Sequence, residues 1–465
     1  MSLANRSLVT VDDLSNGEIE VLFSLADEMA DSISGQSNVC QGKIMASLFF
    51  EPSTRTRLSF ETAMHRLGGE VISAVDIGAT SLAKGESIAD MARVVGSYAD
   101  IIVIRHPWEG AARVVTDYAG IPVINAGDGG HEHPTQTLCD LYTIMKERQT
   151  IKGLRIALLG DLKHGRTIHS LTYALARFGA TILFRPVPGL EMPEHILRKL
   201  TTECKGELIK YDGLDSVVKG RLLPLDAIYI TPSGPHQLAM MPDISIQVEL
   251  KMGIDALYVT RLQKERYAPE TEGQGVRKDY VVDKELLKRK EFKRTLVMHP
   301  LPRVDELAYE VDTDPRSMYF KQAARGVPVR MALIALLLGA KEITISEEED
   351  YFVRKTDYPV YKRDSGLRCP NPKCVSNQET EIRYIKPEFT IVSLEPLTLR
   401  CIYCEHELNP RYIASSDWHE GRLENKRYHS ADSHLVRRIK PENLIFFDSK
   451  DEAEIQGFKP SSYVK

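Results

Sequence analysis

Between Lys43 and about Phe184 short β-rich runs alternate with helical stretches, and no other feature constrains the fold as tightly. Ile44 to Phe50 reads as a buried strand, and Thr54 to Leu67 as a helix closed by Gly68-Gly69, where glycine tolerates a left-handed cap. Val71 to Ile77 is the next strand, and Ser87 to Ala99 a helix opened by a Ser-x-x-Asp signal at Ser87 and Asp90. Ile101 to Arg105, Val123 to Asn125 and Arg155 to Leu159 continue the strand series, with helices between. Strands linked through helices pair in parallel, so we expect an α/β chain of doubly wound parallel sheets whose sites gather at the carboxyl ends of strands.

Composition sets the limits around that pattern. At roughly 100–200 residues per domain, 465 residues make about three globular units. With 27% charged and 43% hydrophobic residues, the chain is neither wholly disordered nor a fibre. Sixty Lys and Arg against 65 Asp and Glu leave a formal charge of −5, which argues against nucleic acid or an anionic membrane as the main partner. The longest apolar stretch, Met331 to Leu338, is far short of the ~20 residues a bilayer needs. The N-terminus lacks the basic and apolar regions of a secretory signal, so a cytoplasmic location is expected.

Ile151-Lys152-Gly153 marks the passage into a second α/β unit. Within it, Leu225 to Thr231 and Ile254 to Thr260 share one pattern. Two strands of one pattern could compete for one slot in a sheet; two ordinary buried strands is the simpler reading. Only the second copy runs on into Arg261-Leu262-Gln263. Val327 to Leu338 is an apolar helix ending at Gly339, and from Lys341 to Gly366 the chain reads as a charged, proline-punctuated linker or covering segment. In the tail, Ser449-Lys450-Asp451-Glu452 is a capping box, with Gly457 placed to stop its short helix.

The chemistry concentrates where strands end. After Phe50 and Glu51-Pro52 come Ser53-Thr54-Arg55-Thr56-Arg57 and a helix. A helix N-terminus offers unpaired N–H groups and partial positive charge, and forked guanidiniums beside it suit a dianion such as phosphate. The bland alternative is an N-cap with two solvent-facing arginines, which five consecutive donors fit badly. Arg105-His106-Pro107 ends another strand and could reach the same anion. His131-Glu132-His133-Pro134-Thr135-Gln136 follows a glycine-rich loop. Its His-x-His could be read as a metal pair, but it lacks a third ligand at useful spacing, and donation to a developing oxyanion is the better use. In His299-Pro300-Leu301-Pro302-Arg303 two prolines fix a rigid turn whose carbonyls could accept from an amide.

Taken in order, these motifs resemble the carbamoyltransferase family, specifically its aspartate carbamoyltransferases, over roughly residues 1–340. Phe50 to Arg57, Lys84-Gly85-Glu86-Ser87, Arg105-His106-Pro107 and His133 to Gln136 carry the likeness, with Gly160 to Thr167, Thr260 to Arg266 and His299 to Glu306. The resemblance implies that fold and divides the chain into a carbamoyl-phosphate-binding domain over 1–150 and an aspartate-binding domain over 151–325 with an insertion around 190–250. A C-terminal helix over 326–340 returning to the first domain, a linker over 341–366 and a zinc-binding, regulatory-chain-like domain over 367–465 complete it. It further implies that Ser53, Thr54, Arg55, Thr56 and Arg105 cradle the phosphate of carbamoyl phosphate. Thr56, Arg105 and His133 would polarise the carbamoyl oxygen, and Gln136 with the carbonyls of Pro300 and Leu301 would hold its NH₂. The Leu301–Pro302 bond would be cis. Ser81 and Lys84 would reach into a neighbouring subunit's site, making a homotrimer the minimal active unit, with paired trimers as the larger assembly it would allow. Arg166, Arg261 and Gln263, with Lys84, would hold aspartate, and a dicarboxylate does need cationic forks at fixed separation. The reaction implied is attack of the aspartate amine on the carbamoyl carbon with loss of phosphate, with no cofactor for catalysis. The segment 163–166, Lys-His-Gly-Arg, is a minor variant of the family pattern.

Four of the seven cysteines fall within 36 residues, as Cys369-x₄-Cys374 and Cys401-x₂-Cys404. Two thiolate knuckles suit a structural tetrahedral zinc, against disulfides or unliganded thiols as alternatives. The segment is similar to the zinc-binding domain of the family's regulatory chain, but the linker is too short for the nucleotide-effector domain that precedes it there. Two rival readings remain. An ornithine carbamoyltransferase would share the phosphate cradle but carry a His-Cys-Leu-Pro turn. A zinc-ribbon nucleic-acid binder on a non-catalytic scaffold would need a basic stripe that residues 366–465 lack.

Overall fold

The computed structural model describes residues 2–31, 37–75, 84–204, 208–210, 225–232, 254–261, 281–342, 360–361, 367–379, 385–416, 426–462 and 464. Helix α1 (Asn16–Asp31) precedes a four-stranded parallel sheet made of β1 (Ile44–Phe49), β2 (Glu70–Val75), β3 (Ile101–His106) and β4 (Val123–Asp128), in the order β2-β1-β3-β4. The apolar runs of β1, β3 and β4 are buried on both faces, as parallel strands covered by helices must be, whereas the edge strand β2 is largely exposed. Helices α2 (Thr54–Arg66), α3 (Ile88–Gly96), α4 (Ala111–Ala119) and α5 (Pro134–Arg148) follow strands β1, β2, β3 and β4 in turn. Ser87 caps α3 by accepting from Asp90 N, as its Ser-x-x-Asp signal predicts. The helix ends at Gly96 instead of Ala99. A Cβ at Gly96 would lie 2.1 Å from Ala119 O, so only glycine lets α3 approach α4 this closely.

Six parallel strands form a second sheet in the order β10-β9-β8-β5-β6-β7. They are β5 (Arg155–Gly160), β6 (Thr181–Pro186), β7 (Leu208–Lys210), β8 (Ala227–Thr231), β9 (Ala256–Val259) and β10 (Leu296–Met298). The two near-identical segments do not compete. They are β8 and β9, neighbours in register, which sets Tyr229 opposite Tyr258 with their rings stacked 4.4 Å apart. Helices α6 (Arg166–Arg177) and α7 (Glu194–Glu203) follow β5 and β6, and the short α8 (Lys284–Lys288) precedes β10. Much of the segment read as an insertion lies outside the described residues.

Helix α9 (Tyr319–Leu337) starts eight residues before the helix expected at Val327, and it runs through Pro328. Proline costs a helix one backbone bond, but packing of α9 against α1, α2 and α5 holds the longer helix together. The apolar core continues from one sheet, through α9, to the other.

The C-terminal region holds two further four-stranded sheets. One is antiparallel, β11 (Val360–Tyr361), β12 (Phe389–Leu394), β13 (Leu397–Cys401) and β14 (Glu407–Leu408). The other, in the order β17-β15-β16-β18, comprises β15 (Tyr412–Ser415), β16 (Arg427–Ser430), β17 (Leu444–Phe447) and β18 (Lys459–Pro460). Helix α10 (Lys450–Ile455) closes it, opened by the Ser449–Glu452 capping box and followed by Gly457 at φ +82. One buried cluster runs from α3 and α4 into Leu367, Phe389, Tyr403 and Phe446, so this region shares a core with the first sheet unit. Among the described residues no helix is long and apolar enough to cross a membrane.

Candidate active site and metal centre

Both parallel sheets reverse their strand order beside their first strands, and the loops leaving those points face one cavity of about 1610 Å³. In the first sheet the reversal lies between β1 and β3. The end of β1 delivers Ser53 to the N-cap of α2, and the end of β3 delivers Arg105. Ser53 makes no side-chain cap bond, so the α2 N-terminus keeps its N–H groups for a ligand. Ser53, Thr54, Arg55, Thr56, Arg105, His133, Gln136, Arg166, Arg261, Pro300 and Leu301 all line the cavity.

Arg105 is buried, with Nη1 donating to Ala126 O at 3.1 Å and Nη2 paired with Glu51 at 3.0 Å. Its Nε has no partner in the protein. Burial and Arg166 push its pKa down to about 10, against the pull of Glu51. His133, at the N-cap of α5, stands with Nε2 3.5 Å from Arg105 Nη1. Burial, then Arg105, Arg166 and Arg330, hold its imidazole well below the ordinary range, so it is neutral. Partial burial and the nearby Arg261 lower Arg55 as well.

Arg166 opens α6, donates to Gly129 O and lies 3.3 Å from Glu51. Arg261 follows β9 toward the same cavity. The Leu301–Pro302 peptide is cis, and Leu301 has a φ of +49. Lys84 is exposed and does not line this chain's cavity. Ser81 and Gln263 lie outside the described residues.

Several residues at the site carry roles that the sequence motifs did not assign them. Glu51 ties Arg105 to Arg166, and its position between a strand end and Pro52 was the available signal. Arg330 of α9 reaches the cavity and donates to Ser59 Oγ at 3.1 Å. Asp140 is buried one turn beyond Gln136, with its pKa raised by burial to about 7. His299 Nε2 meets Glu306 at 2.8 Å, while its Nδ1 accepts from Leu301 N at 2.8 Å and so braces the proline turn. The His-x-His pair is not a metal site here: His131 pairs with Asp128 at 3.0 Å, and His133 faces Arg105.

Among the described residues the one group with metal-holding geometry is Cys369, Cys374, Cys401 and Cys404. All four are buried and free, and their Sγ atoms lie within 4.8 Å of one another. Cys369 Sγ is 3.4 Å from Cys404 Sγ, and Cys374 Sγ 3.8 Å from Cys401 Sγ. A disulfide needs about 2.05 Å, whereas four sulfurs around one zinc at about 2.3 Å stand roughly 3.8 Å apart. Asn377 Nδ2 donates to the carbonyls of Cys369 and Asn371, both at 2.8 Å, and fixes the first knuckle. That knuckle docks on the loop after Arg105. Glu109 N donates to Lys373 O, Val375 N to Glu109 O, and Asn371 Nδ2 to Glu109 Oε2, at 2.9, 2.9 and 2.6 Å.

Known proteins similar to this chain are carbamoyltransferases. The model described as aspartate/ornithine carbamoyltransferase, carbamoyl-P binding domain, matches residues 6–146, and the corresponding Asp/Orn binding domain matches 235–337. The metal binding domain of the aspartate carbamoyltransferase regulatory chain matches 364–414. The aspartate carbamoyltransferase catalytic subunit of Thermoplasma acidophilum is 46% identical over 339 residues, 72% of this chain and 99% of that protein. The same subunit of Methanopyrus kandleri is 47% identical over 339 residues, 73% of this chain and 99% of its own. Among solved structures, the catalytic subunit of M. jannaschii aspartate transcarbamoylase gives a TM-score of 0.57 at 42% identity, covering 72% of this chain and 98% of that one. Aspartate transcarbamoylase from Trypanosoma cruzi in complex with N-(phosphonacetyl)-L-aspartic acid gives 0.58 at 36%, covering 72% and 97%.

Proposed function

This chain belongs to the aspartate carbamoyltransferase family, and on that premise we propose how its residues carry the reaction. The enzyme transfers the carbamoyl group of carbamoyl phosphate to the amine of L-aspartate, giving N-carbamoyl-L-aspartate and phosphate in pyrimidine biosynthesis. The observation that carries the assignment of roles is the convergence of Arg55, Arg105, Arg166 and Arg261 from four separate segments on one cavity.

Ser53, Thr54, Arg55 and Thr56 hold the phosphate at the α2 N-terminus, with Arg105 closing the cradle. Thr56, Arg105 and the neutral His133 donate to the carbamoyl oxygen as it gains negative charge, so that stabilisation is ready before the amine attacks. Gln136 and the carbonyls of Pro300 and Leu301 take the carbamoyl NH₂. Arg166 and Arg261, with Gln263, grip the two carboxylates of aspartate and aim its amine at the carbamoyl carbon. Glu51 holds Arg105 and Arg166 together, coupling the two substrate sites. Ornithine, a cation, would meet these arginines with like charge. Replacing Arg55 by Ala tests the cradle: turnover should fall by about two to three orders of magnitude, the scale of removing one transition-state donor, with the far-UV circular dichroism unchanged. Near-wild-type turnover would overturn the assignment.

The four cysteines bind a structural zinc, which when bound draws the two knuckles together and neutralises the thiolates. The minimal active unit is a homotrimer in which Ser81 and Lys84 complete a neighbour's site. The exposed edge strand β2, with Ile72 and Val75 both 42% exposed, supports this because an uncovered apolar edge calls for a partner. Seven cysteines, none of them paired in a disulfide, suit the reducing cytoplasm.

A further inference from the structure

A buried carboxylate sits behind the group that receives the carbamoyl amine. Asp140 Oδ1 accepts from Gln136 Nε2 and from Gln322 Nε2, each at 2.8 Å, and Asp140 Oδ2 accepts from Tyr258 Oη at 3.0 Å. Gln322 Nε2 also reaches Tyr258 Oη at 3.1 Å, and Gln322 Oε1 accepts from His299 N at 3.1 Å. Asp140, Tyr258, Gln322 and His299 are all buried, and they come from α5, β9, α9 and the end of β10.

Asp140 Oδ1, which faces both glutamines, only accepts hydrogen bonds, whether the carboxyl is ionised or carries its proton on Oδ2. Both glutamine amides must therefore turn their NH₂ groups toward Asp140 and their oxygens away. For Gln136, which lines the cavity, Oε1 is then the atom left to meet an incoming N–H. For Gln322, Oε1 holds the backbone of His299, whose Nδ1 in turn takes Leu301 N. We propose that Asp140 is a positioning residue that orients both halves of the carbamoyl-amine site, Gln136 on one side and the Pro300–Leu301 carbonyls on the other. The proposal rests on the assignment of those groups to the carbamoyl NH₂. An amide at 140 offers both a donor and an acceptor and no longer dictates which way Gln136 faces; with Nε2 toward the cavity, donor would meet donor.

Acetyl phosphate supplies the test, since it keeps the phosphate and the carbonyl but carries a methyl group in place of the amine. Dissociation constants for carbamoyl phosphate, acetyl phosphate and inorganic phosphate are measured by titration calorimetry on the full-length protein. Asp140→Asn should weaken carbamoyl phosphate about tenfold, the scale of losing an oriented hydrogen bond in a buried site, and leave the other two within about twofold. Gln322→Leu should shift the same ratio in the same direction from the opposite side, and it decides alone if Asp140→Asn does not fold. An unchanged ratio in these variants, or parallel weakening of all three ligands, overturns the proposal. Gln136→Ala separates the two layers. If it also keeps the wild-type ratio, the amine site itself is misassigned and the proposal falls with it. If it loses the ratio while Asp140→Asn keeps it, the role of Asp140 alone is refuted.

Discussion

Lys199→Met should cost the folded state about 3 kcal/mol at pH 7, at the lower end of the range for breaking a buried ion pair. Lys199 of α7 is buried, with Nζ 2.6 Å from Asp12 Oδ2, 3.0 Å from Glu405 Oε2 and 4.2 Å over the Tyr173 ring. One ammonium thus joins the N-terminal segment, the helices beside the second sheet and the metal knuckle. At an effective dielectric of ~20, charges about 3 Å apart attract by roughly 5–6 kcal/mol, most of which desolvation cancels. Removing one partner exposes the remaining cost, about 3–5 kcal/mol in buried settings. The lower end applies because Asp12 keeps Arg177 at 3.4 Å, and Glu405, 25% exposed, is partly screened by solvent. Urea unfolding followed by Trp108 fluorescence, with Trp418 replaced by Phe, measures the loss, because Trp108 lies in the cavity wall beside the docked knuckle. The pH dependence gives an independent check. Burial alone would raise the Glu405 pKa, but Lys199, His131 and Arg400 outweigh it and hold the carboxyl well below the ordinary range. A carboxyl lowered in the folded state adds stability that is complete above its unfolded pKa of about 4.3 and is lost as pH falls through the folded value. The gap between wild type and variant should therefore narrow below about pH 4.3, and Glu405→Gln added to Lys199→Met should recover part of the loss. A variant within about 0.5 kcal/mol of wild type, the scale of an ordinary surface substitution, would refute the reasoning.

Other outcomes can be checked alongside. His133 should stay neutral from pH 6 to 8, so its ring-proton NMR shifts should hold steady there. Its pKa is lowered in the folded state, so its contribution to stability is full above the unfolded value of about 6.5 and declines as pH falls below it. A chelator should release one zinc per chain and open four thiols to a thiol reagent, while solution mass before and after reads whether the trimer persists. Cys404→Ser should lower the metal content in the same direction, measured by atomic absorption.

Both parallel sheets were legible because their strands carry continuous apolar runs between helices, and the phosphate cradle because its donors are consecutive in sequence. The close approach of Gly96, at the end of α3, to Ala119 is a tertiary contact that no local pattern reveals. Helix α9 looked shorter because Pro328 normally ends a helix, and here tertiary packing wins. The last sheet, β15 to β18, escaped notice because its strands are only two to four residues long and its edge pair is parallel. Asp140 and Lys199 were invisible for a different reason. Lys199 meets Glu405 across 206 positions of sequence, and Asp140 meets Gln322 across 182, so neither has a local signature.

The strand-like ladder between Glu109 and Lys373–Val375 also changes how the metal-bearing unit responds to dilution. A partner on a separate chain would occupy this surface only to the extent that its concentration exceeded a dissociation constant. Here the same chain carries both faces of the contact, and a short tether holds such faces together at an effective concentration on the order of millimolar. Occupancy of the contact then becomes a property of each molecule, the same in a dilute assay as in a crowded cell.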